Sequence, residues 1–295
     1  MIYDIKLKLG YQYASPAGAG RHLLRVLPLD VAGEQRLVSG VVTIDPHPEE
    51  RRDRRDFFGN HLVEFACRAS HRSLDLVMQA RVDRNVGRLG EERSTSFATL
   101  AADLAACVDL GPSSPVHMVA ASVRVPLDAP TTRFARAQVR PGQTALQVVQ
   151  SVGQALHDHM TFDPRATKVD TPLSKAFAAR KGVCQDYSHI LIACLRGVGV
   201  PAGYVSGFLR TKPPPGKPRL EGADAMHAWV RAWCGTELGW VEYDPTNDCL
   251  VRNDHIVVAQ GRDYSDVAPI KGILRVSGRQ NGHQAVDVIP LVDLV

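Results

Sequence analysis

The spacing of hydrophobic residues changes once along this chain, and that change limits the fold more than any single motif. Through the first 125 residues the period is two. Tyr3, Ile5, Leu7, Leu9, Tyr11 and Tyr13 alternate with mostly polar neighbours, the pattern of a strand buried on one face. Residues 36–45, 61–67, 73–82 and 116–125 read as further strands, with one helical interruption at 96–107. Several short strands in succession predict an antiparallel sandwich or barrel. From residue 144 the spacing becomes helical. Residues 144–160 form one amphipathic pattern. Residues 171–182 form a shorter one, with Thr171 as N-cap, Pro172 at the first helical position and Gly182 just past the end.

A third helical pattern, 184–198, is apolar over a wide arc. Tyr187, Leu191, Leu195 and Val198 share a stripe with Cys184, and Ile190 and Cys194 widen it. Such a helix belongs in the centre of a domain, and Gly199 ends it. Strands follow at 202–209, 226–234 and 239–246, the last two joined as a hairpin through "GTEL", and at 271–278 and 284–291. Helices followed by strands predict an α+β fold rather than βαβ alternation. The stretch "PLDAPTTR" at 126–133 has two prolines and no periodicity. It sets a boundary between a β-rich unit, 1–125, and a second domain, 126–295. The proline-rich segment 212–222 reads as an exposed loop.

Charge excludes some functions. The chain has 35 basic and 31 acidic residues, net +4, too small an excess to predict nucleic-acid or membrane partners. The densest run, "EERRDRRD" at 49–56, cancels itself and reads as a solvated loop. No stretch approaches the ~20 apolar residues of a membrane helix, and the first residues hold no signal-like apolar core, so a cytoplasmic protein is expected.

The six cysteines, Cys67, Cys107, Cys184, Cys194, Cys234 and Cys249, lack the spacing of a disulfide framework or a zinc site. Five read as core filler. Cys184 differs, because it follows closely on a glycine and opens the central helix. Helix N-termini gather unpaired N–H groups and positive potential, which favour a thiolate and can hold an oxyanion. Asp186 in the same turn suits the dipole but opposes a thiolate. His227 opens one strand of the hairpin and Asp244 closes the other, so both can lie at one end. Asp244 can then hold one imidazole nitrogen while the other faces Cys184. His189 lies on the same helix and should point elsewhere. Asp248 should lie beyond the strand, in a turn. His157 and His159, without further ligands, read as a solvated helix end. Trp229 and Trp233 share His227's side of the strand, either lining a groove or packing. Asp263 and Asp266 in "DYSD" are open between a supporting and a structural role.

Three blocks, "GVCQDYSHILIACLRGVGVPAGYVSG", "HAWV" and "GWVEYDPT", resemble the transglutaminase-like cysteine peptidase superfamily. "YQYASP" at 11–16 and "GRDYSDVAPIKG" at 261–272 resemble its bacterial branch, which has a β-rich amino-terminal domain. The resemblance implies a papain-like core, with the cysteine helix packed on an antiparallel sheet. It carries the nucleophile onto Cys184, the base onto His227 and the orienter onto Asp244. It implies no metal and no cofactor. The expected partner is a peptide or protein substrate, attacked through a thioester. Water as acceptor makes a peptidase or amidase, the favoured expectation. A lysine amine as acceptor makes a crosslinking acyl transferase with the same triad. A non-catalytic scaffold on the same fold is the third reading. Substrate identity and oligomeric state are not encoded in these motifs.

Overall fold

The computed structural model describes residues 1–211 and 219–291. Strands β1 (Ile2–Leu24), β2 (Gln35–Asp45), β3 (Glu50–Arg55), β4 (His61–Cys67) and β5 (His71–Arg84) come first, then a short helix α1 (Leu100–Ala105). Next are α2 (Ala129–Arg136), α3 (Ala145–His159), β6 (Thr161–Phe162), α4 (Leu173–Ala179), β7 (Lys181–Gly182) and α5 (Cys184–Gly197). Then follow β8 (Ala202–Leu209), β9 (Ala225–Trp233), β10 (Trp240–Asp244), β11 (Cys249–Leu250) and β12 (His255–Gly261). The last elements are α6 (Tyr264–Val267), β13 (Ile270–Arg275) and β14 (Gln280–Leu291). The expected α+β class holds. The proline-rich segment expected as a loop lies, for residues 212–218, outside the described residues.

The first sheet is organised on β1, a strand of 23 residues. Its order is β2-β5-β1-β4-β3, with β13 and β14 also paired to β1. The first half of β1 runs between β5 and β14, and its second half between β4 and β13. Between the halves the register slips, and Ala19 adopts a left-handed φ of 50°. A bulge of this kind bends a strand and lets it serve two partly separate sheets. Tyr3, Ile5, Leu7 and Leu9 point into the core, as their alternation predicted.

The boundary at residue 125 therefore does not divide the sheets. Residues 270–291, expected to close the second domain, hydrogen-bond to β1 and complete the first sheet. Val286 and Val288 are buried there. Alternation shows that a strand has one buried face; it does not name the partner that covers it.

Other expectations are corrected. The charged run at 49–56 contains a strand, β3, whose residues are all exposed. It pairs with β4, and its charges pair with one another and with that neighbour, Arg51 with Asp53 and Arg54 with Glu64. Charge along an edge discourages further strand addition. Residues 116–125 are not a strand. Only a 3₁₀ turn forms, at Pro115–Met118, and the Arg196 guanidinium donates to Ala120 O and Ser122 Oγ at 2.9 and 3.1 Å. The proline-marked boundary is partly helical, because α2 packs against α5. In α4 the N-cap is Pro172 rather than Thr171, and the helix ends at Arg180, with φ 52°.

The second sheet is antiparallel, in the order β11-β10-β9-β8-β12. Ile190 to Leu195 of α5 are fully buried in a core that includes Ala228, Val230 and Ala232 of β9. Trp229 belongs to a smaller cluster, with Leu29, Val205, Val251 and Val257. The free edge of β12 is met by side-chain amides from the first half of the chain. Gln35 accepts from Val257 N at 2.9 Å and donates to Val257 O at 2.7 Å; Asn60 accepts from and donates to Gln260, both at 2.8 Å. These bonds satisfy backbone groups that an edge strand would otherwise leave open.

Candidate active site

Helix α5 begins at Cys184 because Val183 is extended, with φ −110° and ψ 178°. Asp186 caps the turn. Its Oδ2 accepts from Val183 N at 2.9 Å and from Thr167 Oγ1 at 2.6 Å, so its side chain is turned back to the start of the helix. Burial pushes the Asp186 carboxyl upward, against those two bonds. Gly182 makes the fold-back sterically feasible, since a Cβ there would lie 2.6 Å from Asp186 Oδ2. The first N–H groups of α5 have no intrahelical acceptor and face the end where Cys184 sits.

The hairpin brings His227 and Asp244 together as expected. His227 Nε2 lies 2.7 Å from Asp244 Oδ2. Asp244 is fully buried, and other donors converge on it. His255 Nε2 at 3.1 Å and Asn247 Nδ2 at 2.7 Å also meet Oδ2, while Thr246 N at 2.9 Å and Asn247 N at 3.3 Å meet Oδ1. Burial alone would raise the Asp244 pKa; its donors outweigh it and hold the carboxyl well below the ordinary range. For His227 burial acts downward, but its bonds to Asp244 and to the Cys184 thiol outweigh it and raise the imidazole to about 10. With Nε2 committed to Asp244, Nδ1 is the nitrogen left to exchange a proton with Cys184.

Cys184 and His227 open onto a cleft of about 380 Å³. Tyr204, Met226, Tyr264 and Ile270 line it, together with Tyr11 of β1 and Gln284 of β14. One wall is thus built by the first sheet.

The remaining candidates fall outside the reacting groups. His189 is buried, its Nε2 accepts from Tyr264 N at 3.2 Å, and burial lowers it to about 4. Trp229 and Trp233 are core residues, and Trp229 Nε1 donates to Glu242 at 3.0 Å. Asp263 caps α6 through Ser265 N, and Asp266 pairs with Arg262. His157 meets Pro245 O, and His159 packs between Phe134 and Phe177. Asp248 contacts the Tyr243 hydroxyl from a left-handed turn, φ 48°. His255 is the residue that sequence reasoning missed. Its signal was the buried run "HIVVAQG", which lacks any period.

Among the described residues, His227, Asp244 and His255 are the cluster whose ligand atoms lie close enough to suit a metal, all within 4.8 Å. Their hydrogen bonds, at 2.7 and 3.1 Å, already use those atoms on one another. A divalent ion would have to break both bonds to bind.

Cys184 is half-buried, whereas Cys67, Cys194 and Cys234 are buried. Burial pushes Cys249 up to about 11 and Cys234 to about 12. Iodoacetamide on the native protein should therefore modify Cys184 first, as read by peptide mass. Prior labelling of Cys249 or Cys107 would remove Cys184 from the nucleophile's place.

Residues 132–245 match the transglutaminase-like superfamily, and residues 3–83 match the bacterial transglutaminase-like N-terminal region. An uncharacterized protein of Mycobacterium tuberculosis is 35% identical over 265 residues, covering 87% of this chain and 82% of its own. An uncharacterized protein of Mycobacterium leprae is 32% identical over 285 residues, covering 95% of this chain and 94% of its own. The fold is shared with a Cytophaga hutchinsonii protein provisionally described as a cysteine protease. There the TM-score is 0.76 at 19% identity, over 99% of this chain and 92% of the other. Among the described residues, no helix is long and apolar enough to cross a membrane.

Proposed function

Because this chain belongs to the transglutaminase-like superfamily, we propose that it is a cysteine-dependent amide-bond hydrolase, a peptidase or amidase, working through a Cys184–His227–Asp244 triad. The observation that carries this reading is the buried His227–Asp244 bond, with the half-buried Cys184 thiol as the imidazole's other partner.

In the proposed reaction the substrate carbonyl enters the cleft beside Cys184. The Cys184 sulfur attacks the carbonyl carbon as a thiolate, its proton held on His227 Nδ1. The C=O electron pair moves onto oxygen, and the first N–H groups of α5 stabilise that charge. As the C–N bond breaks, His227 gives its proton to the departing amine and a thioester remains on Cys184. Water then adds to the thioester, losing a proton to His227. The acid leaves and the thiol re-forms. Asp244 keeps one imidazole orientation and tautomer throughout, and it opposes the charge of the imidazolium.

The test is a bacterial proteome incubated with wild type or with Cys184→Ala, followed by peptide mass spectrometry. New peptide termini or new acids at former amides, in the wild-type sample only, are expected. Glutamine–lysine crosslinks without hydrolysis would shift the reading to acyl transfer. Identical samples would remove the enzyme reading and favour a scaffold.

A further inference from the structure

Asp244 is shared by two histidines, and the triad uses only one. His255 opens β12, is buried, and directs Nε2 at Asp244 Oδ2 from 3.1 Å. Its ring centroid is 6.1 Å from that of His227, so the two imidazoles approach one carboxylate oxygen from separate strands. We propose that His255 is a positioning residue for the same site: its Nε2–H holds the Asp244 carboxylate in line with His227 and thereby keeps the imidazole aimed at Cys184. The inference rests on the triad reading above.

Three features support this role. The first is the tautomer. Asp244 in its ionised form can only accept, so the bond requires the proton on His255 Nε2. His255 Nδ1 is buried with no hydrogen-bond partner among the described residues, so no competing bond pulls the ring the other way.

The second feature is rigidity. The ring stands edge-on to Trp229, with centroids 5.2 Å apart and planes at 80°. Trp229 is itself fully buried and anchored to Glu242. The strand that carries His255 is fixed along its outer edge by Gln35 and Asn60. A donor held this firmly loses little entropy in keeping its bond.

The third feature is electrostatic. A carboxylate removed from water needs several donors to remain ionised. Asn247 Nδ2 and the backbone N–H groups of Thr246 and Asn247 come from the turn directly after Asp244, so they move with it. Among the described residues, only the bonds from His227 and His255 reach it from other strands. His227 is the group to be aimed, which leaves His255 as the independent reference that fixes the carboxylate's direction.

The test reads the iodoacetamide alkylation rate of Cys184 near pH 6, where an unassisted thiol is mostly protonated. Wild type is compared with His227→Gln, His255→Gln and His255→Asn, with thermal melts to verify folding. The glutamine amide nitrogen can occupy the place of His255 Nε2; the shorter asparagine cannot reach it. His255→Asn should slow alkylation by about tenfold, while His255→Gln should stay within about threefold of wild type. If folded His255→Asn reacts like wild type, or if His255→Gln is as slow as His255→Asn, the positioning role is overturned. His227→Gln separates the two levels: its rate should fall further than that of any His255 variant. If it reacts like wild type, the triad reading itself fails.

Discussion

Replacing Asp244 by asparagine should lower kcat by about 10²- to 10⁴-fold and should also weaken the fold. The catalytic part follows from triad chemistry, since a neutral amide neither opposes the imidazolium nor fixes its tautomer, and losses in serine triads reach about 10⁴. A thiolate–imidazolium pair depends less on its orienter, so the lower end of that range suits a cysteine. The structural part comes from the donors around this side chain. Asp244 accepts from two imidazoles, one amide and two backbone N–H groups. An asparagine keeps one acceptor oxygen and turns an NH₂ toward donors in either orientation. Two or three buried donors then face that NH₂ instead of an oxygen, at about 1–3 kcal/mol for each left unpaired. Urea unfolding and kcat measured on the same preparation check both parts. Asp248→Asn is the control, because Asp248 contacts the Tyr243 hydroxyl rather than an imidazole, and asparagine tolerates its left-handed backbone. Wild-type activity in Asp244→Asn, or a greater loss in Asp248→Asn, would take the orienting role from Asp244.

The stability that His227 contributes should disappear on alkalinisation. Its folded pKa is raised from 6.5 to about 10. Below 6.5 both folded and unfolded chains hold the proton, and the whole contribution is present. Between these values only the folded state holds it, so the contribution falls steadily and is gone near 10. At about 1.4 kcal/mol per unit, the ceiling is about 5 kcal/mol. Asp244 behaves in the opposite sense: its folded pKa is depressed from 3.8, so its contribution is present above that value and is lost on acidification. Urea titrations of wild type and His227→Gln at about pH 6 and about pH 9.5 measure the excess stability of wild type. That excess should shrink markedly at the higher pH. A constant excess would show that His227 is not held as an imidazolium in the folded state.

The parts of this protein legible in the sequence are those set by local rules. Helix α5 was readable because its apolar spacing runs unbroken from Cys184 to Gly199, where φ is 91°. The hairpin was readable because two strand patterns flank a short turn, and that alone brings His227 and Asp244 to one end. Three other features depend on distant residues. Strand β12 is buried on both faces, so "HIVVAQG" shows no alternation, and His255 went unnoticed with it. Residues 116–125 have a strand's composition, but Arg196 takes up two of their polar groups from α5. The charged run at 49–56 pairs through its backbone, about which its side chains say nothing.

The long strand β1 also dictates a timetable. Ile2 lies opposite Leu291 and Tyr13 opposite Gln280, so β1 bonds to a strand that follows every described helix in the chain. Contacts of such sequence separation close slowly, because most of the intervening chain must be ordered first. The β9–β10 hairpin and helix α5 rest on contacts near in sequence and can form first, whereas Ile270 and Gln284 reach the cleft only through the distant pairings of β13 and β14 with β1. Until β14 docks, the thiol helix therefore stands beside a cleft with one wall missing, and that docking finishes the sheet and the cleft together.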